Sequence, residues 1–251
     1  MSKSESNNSV FAAGIAAIVS GGLVWAVLSF LQPQTPANFE TAIHDYLVSH
    51  PELLVEMNQE LLARREADRQ AQQQSAMDAI GVEALLDPMI AYVEGPENPT
   101  ATVIEFFDYR CGFCKASLPA MKAVMAERHD VRFAFVEYPI LTDDSVVAAR
   151  AAIAARRQDD KYVPFHLALM DTQGDLPLER ILSIAEEVGL DVEQLQADMD
   201  DQAITDSLEA SRTLADNLQV NGTPTFVING QIRAGAVDQD LLNSLIDGSA
   251  S

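Results

Sequence analysis

Between Val10 and Leu31 the chain is predominantly apolar and carries no charged side chain. A stretch of that length can cross a bilayer as a helix, and it exceeds the apolar region of an ordinary signal peptide. Lys3 precedes it and no Lys or Arg follows before Arg64, an asymmetry that leaves the N-terminus inside and the rest of the chain outside. The expectation is an anchor over residues 10–31. The alternative is a signal cleaved after the small residues Thr35 and Ala37, before Asn38. Either way the body is exported, which in a bacterial cell means the periplasm.

After Pro33 and Pro36 the period changes to that of amphipathic helices. Phe39, Ile43, Tyr46 and Leu47 share one face, and Leu53, Leu54, Met57 and Leu61 form a second stripe behind Pro51. From Arg64 to Ser75 the pattern fades into a polar helix or stalk, with Glu60 and Arg64 spaced as an i, i+4 pair. Two such helices outside a main domain must bury their stripes, and residues 39–62 are expected to do so in a homo-oligomer; a plain spacer is the alternative.

The body is expected from about residue 77. Residues 100–107 (TATVIEFF) read as a buried strand, 112–128 as a helix, and 131–138 (VRFAFVEY) as a strand closed by Pro139. Together they make a βαβ unit. Residues 143–217 read as helical, with Asp143 or Asp144 as a cap, Gly189 as a stop and Asp191 with Gln194 at capping-box spacing. A strand over 225–228, the Asn229-Gly230 turn, a return strand over 231–233 and a helix over 239–246 end the chain. The expected organisation is a segment 1–36, an arm 37–76 and an α/β body 77–251 whose mixed sheet is split by a helical insertion at about 143–217.

Charge narrows the range of partners. With 38 acidic and 16 basic residues the formal net charge is −22, a surface that repels nucleic acid. A composition 48% hydrophobic is compatible with a packed core.

The only cysteines are Cys111 and Cys114, too close together to staple a fold. They stand where a strand hands over to a helix, in F-F-D-Y-R-C-G-F-C-K. Unpaired N–H groups and the helix dipole favour a thiolate on the first sulfur. The second, one turn on, can attack a mixed disulfide and release its partner. Cys111 is therefore read as nucleophile and Cys114 as resolving cysteine, with Gly112 and Phe113 between them tuning the pair. Arg110 and Lys115 either add favourable charge or are solvated bases. A zinc site needs two more ligands, and His44, His50, His129 and His166 have no finger-like spacing, so no metal and no cofactor are expected. Pro224, in N-G-T-P-T-F, stands at a strand entry. In cis it would present the Thr223 backbone to an extended peptide; the sequence alone also permits an ordinary trans turn.

These residues resemble the thioredoxin superfamily, and more closely the DsbA-type thiol–disulfide oxidoreductases, over about residues 100–247. Cys111-Gly112-Phe113-Cys114 matches the redox motif, Pro119 the position where the active-site helix kinks, and Gly222-Thr223-Pro224-Thr225-Phe226 the cis-proline loop. Lys161-Tyr162, Phe165-His166 and Leu169-Met170 resemble the helical insertion. The resemblance implies a thioredoxin-like fold with an inserted helical domain. It also places Glu105 where these enzymes keep an acid beneath the disulfide, for proton transfer to Cys114; otherwise Glu105 is an exposed strand residue. DsbA carries Pro-His between its cysteines, so Gly-Phe here implies a weaker oxidant. Thr223 and the helical arm are similar to dimeric isomerases and to ScsC-like proteins. The implied partners are exported clients with cysteines and a membrane redox partner that recharges the pair, with oxidase and isomerase directions both open. A membrane-tethered chaperone or scaffold, with its peptide groove at work and its thiols idle, is the competing function.

Overall fold

The structure, a computed structural model, describes residues 39–249. The apolar segment 10–31 and the expected cleavage region lie outside the described residues. Among the described residues, 39–249, no helix is long and apolar enough to cross a membrane. The chain divides into two compact units between Arg64 and Arg65.

In the first unit, α1 (Phe39–Ser49) buries no residue. Its expected stripe is present on the surface, where Phe39, Ile43 and Tyr46 are exposed. Tyr46 stacks on His50 with ring centroids 4.3 Å apart. Pro51 immediately precedes α2 (Glu52–Ile80), whose apolar residues Leu54, Met57 and Leu61 are also exposed. The helix does not stop where the apolar pattern fades. Residues 64–75 are rich in strong helix formers, and the Arg64–Glu60 and Arg69–Glu66 pairs at 2.7 and 2.6 Å support the exposed turns. Position 77, where the pattern placed the start of the body, thus falls within α2, and the second compact unit already begins at Arg65.

In the second unit, Gln73 and Met77 are the buried residues of α2, and the Gln73 amide donates to the Gln219 carbonyl at 2.8 Å. A 3₁₀ turn (Val82–Leu86) leads to β1 (Ala91–Glu94). This strand is too short to show a period, and the sequence pattern does not reveal it. Then come β2 (Ala101–Phe107), α3 (Gly112–Glu127) and β3 (Val131–Glu137). Five helices follow: α4 (Asp143–Ala155), α5 (Tyr162–Asp171), α6 (Leu178–Glu187), α7 (Val192–Met199) and α8 (Gln202–Asn217). The chain closes with β4 (Thr225–Ile228), β5 (Gln231–Ala234) and α9 (Gln239–Ile246).

The five strands form one mixed sheet in the order β1-β3-β2-β4-β5. Only β2 and β3 are parallel, as their connection through α3 requires; every other pair is antiparallel. Asn229 and Gly230, both at positive φ (50° and 80°), make the two-residue turn between β4 and β5. Strand alternation sends Val103 and Phe107 of β2 with Phe133 and Phe135 of β3 into one core, shared with α3 and the inserted helices. Ile104 and Phe106, with Ala134 and Val136, enter a second core that holds Met77, Leu214 and Leu218. Burial on both faces explains why β2 reads as a near-continuous apolar run. The one charged residue in that run, Glu105, shares the first face.

Helix ends follow local chemistry. Thr142, not Asp143 or Asp144, caps α4: its hydroxyl accepts from the Ser145 N–H at 3.2 Å. Asp191 caps α7, accepting from Gln194 N–H at 3.0 Å. Gly189, at φ 78°, ends α6 with the paired bonds Leu190 N–H to Ala185 O and Gly189 N–H to Glu186 O, both 2.9 Å.

Candidate active site

Cys111 is the N-cap of α3, in extended conformation with φ −75° and ψ 115°. Its side chain lies off the start of the helix, where the first N–H groups have no partner within the helix. The Cys111 thiol is 5% exposed and donates to the Thr223 carbonyl at 3.1 Å. The Thr223–Pro224 bond is cis. Thr223 Oγ1 is buried beside this contact with no hydrogen-bond partner among the described residues. Cys114, one turn on, is 1% exposed, and both cysteines are free thiols. Between them, Gly112 has open space around it, and Phe113 is 69% exposed. An apolar ring on the surface thus stands beside an almost covered sulfur.

The Cys114 thiol is held far above the ordinary range, first by burial and then, where Glu105 is ionised, by that carboxylate's charge; the Asp108 backbone N–H acts in the opposite sense. Cys114 is therefore a neutral thiol at rest. Glu105 is buried and not the exposed strand residue of the alternative reading. The register explains its burial: its neighbours across β2 are Phe135 on one side and Phe226 on the other. Burial among these rings pushes its carboxyl up to about 8, so near neutral pH it holds a proton. The fold therefore gathers every site residue read from the sequence: Cys111, Gly112, Phe113 and Cys114 on α3, Glu105 from β2, and Thr223 and Pro224 before β4.

The flanking bases are not free surface charges, and their hydrogen bonds among the described residues go to the insertion and not to the sulfurs. The Lys115 ammonium donates to the Met170 and Thr172 carbonyls at 3.0 and 2.6 Å, where it serves the C-terminal end of α5. Arg110 donates to the Gly174 carbonyl and pairs with Asp175 at 2.6 Å.

Two features escaped the sequence reading. Asp108 is buried and accepts from the backbone N–H groups of Arg110, Ile140 and Leu141 at 2.7, 2.9 and 3.0 Å. It also accepts from the Ser145 hydroxyl at 2.7 Å. The only signal was an acid inside an apolar segment three residues before Cys111. The second feature is a buried cluster under the insertion. Glu137 accepts from Tyr109 and Tyr162 hydroxyls at 3.2 and 3.0 Å, and Tyr109 oxygen lies 3.0 Å from His166 Nδ1. Burial drives the Glu137 carboxyl up to about 8, offset in part by Arg156 and the two tyrosines. The same burial, with Arg156, drives His166 down to about 3. Among the described residues no group of three or more His, Cys, Asp or Glu has a metal-binding arrangement.

A strand-to-helix dithiol beside a cis-proline loop, on a mixed sheet interrupted by helices, defines the class of thioredoxin-fold dithiol proteins. The chain belongs to the DSBA-like thioredoxin domain family, whose pattern matches residues 102–247. Residues 37–68 match the Copper resistance protein ScsC N-terminal domain. A thioredoxin-like oxidoreductase from Silicibacter pomeroyi DSS-3 is 41% identical, with a TM-score of 0.62 over 66% of this chain and 96% of that one. The thiol-disulfide exchange protein alpha-DsbA2 from Wolbachia pipientis is 29% identical, with a TM-score of 0.66 over 73% of this chain and 98% of that one. Among curated relatives, Na(+)/H(+) antiporter NhaA 1 of Salinispora arenicola is 29% identical over 163 residues, 64% of this chain. The match spans only 25% of that antiporter's length.

Proposed function

We propose that this protein is a thiol–disulfide oxidoreductase acting on exported proteins, with Cys111 as nucleophile and Cys114 as resolving cysteine. The observation that carries this reading is the Cys111 thiol at the start of α3, bonded to the Thr223 carbonyl, with Cys114 one turn deeper above a buried Glu105. Family membership and the exchange protein from Wolbachia pipientis support it.

In the donating direction a client thiolate attacks Cys111 of the oxidised pair, a client–Cys111 bond forms, and the Cys111–Cys114 bond breaks. Cys114 leaves with the electron pair and takes the proton of Glu105. A second client thiol then displaces Cys111, so the client is oxidised by two electrons and the pair reduced. The reduced pair runs the same steps backwards on a wrong disulfide. Thr223 and Pro224 line the sulfur on the client side, and an extended peptide replaces the Cys111 thiol as donor to the Thr223 carbonyl. Gly112 and Phe113 set the exposure and apolar surroundings of the pair.

The periplasm is the proposed site of action, supported by the uncharged stretch 10–31, which would anchor the chain in the inner membrane or be removed on export. A membrane redox partner would recharge the pair. The exposed stripes of α1 and early α2 support a homo-oligomer through residues 39–62, as does the match of 37–68 to an ScsC N-terminal domain.

Insulin reduction and refolding of a scrambled substrate, with the reduction potential measured alongside, test the activity and its direction. Cys111→Ala is expected to abolish both reactions, and Cys114→Ser to trap client on Cys111. Undiminished catalysis by the double cysteine variant would rule the reading out.

A further inference from the structure

Three residues flanking the dithiol make polar ties to the helical insertion, and one of them is placed to govern the chemistry. Lys115 and Arg110 reach the last turn of α5 and the segment that follows it. Asp108 reaches the β3–α4 connection, and its ties run in two directions. Toward the cysteines, Oδ1 accepts from the Arg110 N–H at 2.7 Å while the Asp108 backbone carbonyl accepts from the Cys111 N–H at 3.0 Å. Toward the insertion, Oδ2 accepts from the Ile140 and Leu141 N–H groups, and Oδ1 also takes the Ser145 hydroxyl at the start of α4. Four donors on one buried carboxylate make a set of charge-assisted bonds, roughly twice as strong as neutral ones. This is a stiff joint between the turn that carries the nucleophile and the wall beside it.

We propose that Asp108 is a positioning residue for the resolving step, holding the 108–111 turn so that Cys114 meets Cys111 in line when a mixed disulfide forms there. The proposal rests on the exchange reading above. In that step Cys114 passes its proton to the ionised fraction of Glu105 and attacks Cys111; the Cys111–Cys114 bond forms, the Cys111–client bond breaks, and the client sulfur leaves with the electron pair. The Cys114 thiol is buried and cannot search for its target, so geometry fixed beforehand sets the rate. Cys111 attack on a small disulfide is less dependent on the joint, because the incoming molecule can adjust.

Asp108→Asn separates the two directions of the joint. With its oxygen toward the Ile140 and Leu141 N–H groups, an asparagine keeps both, and its amide can donate to the Ser145 hydroxyl. It then presents a donor to the Arg110 N–H, so the tie lost is the one to the cysteine turn. Asp108→Ala loses all four.

The test mixes reduced full-length protein with glutathione disulfide, quenches with acid and follows the Cys111–glutathione adduct by mass. Wild type is expected to pass through the adduct quickly. Asp108→Asn is expected to stay folded with a Tm lowered by only a few degrees, the cost of the unpaired Arg110 N–H, yet release glutathione about tenfold more slowly, with Asp108→Ala at least as slow. Leu218→Ala, a cavity in the core on the opposite sheet face, provides a variant of lowered stability. Wild-type release rates in both Asp108 variants overturn the proposal. So does failure of Asp108→Asn to fold, or equal adduct accumulation in Leu218→Ala, since either makes the effect one of stability. Wild type that forms neither adduct nor disulfide instead refutes the exchange reading.

Discussion

A single carboxyl shows how position converts an ordinary residue into a functional one. Glu105 lies between Phe135 and Phe226 with its proton retained up to about pH 8. An unfolded glutamate ionises near 4.3. The native carboxyl is therefore harmless to stability below that point. As pH rises the unfolded chain gains an ionised, hydrated carboxylate that the native state cannot match, and stability falls until about pH 8. Glu105→Gln removes this linkage and is expected to stabilise the protein by roughly 3–4 kcal/mol at pH 7, each tenfold change in proton affinity being worth about 1.36 kcal/mol, with the gain vanishing near pH 4. Urea melts of both proteins across that range check it. The same variant is expected to flatten the rise in resolving rate between pH 7 and 9, because the ionised carboxyl that accepts the Cys114 proton is gone. His166 has the opposite sign. Its pKa is depressed to about 3, so its contribution is complete above pH 6.5 and is lost as pH falls below that value.

At the scale of elements, the boundaries of the insertion are set by a few local bonds. Asp191 accepts from the Gln194 N–H and starts α7; Gly189 two residues earlier adopts φ 78° and stops α6. Replacing Asp191 by Ala leaves that N–H without its partner and is expected to lower stability by about 1 kcal/mol, read as a fall in Tm with the exchange rate unchanged. The sequence showed both positions because caps and stops act within four residues. It misled at α4, where two consecutive aspartates have the chemistry of a cap but Thr142 holds the position, freeing Ser145 to bond both Thr142 and Asp108. It was silent at β1, a four-residue edge strand formed only because β3 offers an antiparallel partner.

For the molecule as a whole, exposed apolar surface bears on the state of association. α1 buries nothing, and large apolar residues of α1 and early α2 face solvent, an arrangement that a second copy would cover. On the proposed homo-oligomer, Leu54→Asp combined with Met57→Asp is expected to reduce the mass in sedimentation equilibrium to that of a 27.3 kDa monomer. An unchanged mass would exclude this stripe as the contact. Glutathione exchange by the same variant is expected to persist, because the dithiol, Glu105 and the Thr223 loop all belong to the second unit.

The strand–helix–strand order over residues 100–138, the two-residue turn at Asn229-Gly230 and the placement of Cys111 and Cys114 at a strand-to-helix junction were decided by the sequence alone. They depend on period, caps and turn residues, which act over a few neighbours. The tertiary structure decided what those groups meet. Thr223 arrives from 112 residues away to bond Cys111. Phe226 crosses to bury Glu105, and the β3–α4 turn comes to close over Asp108. Proton affinity and sulfur reach are set by such distant neighbours, because desolvation and hydrogen bonding depend on what is close in space and not on what is close in the chain.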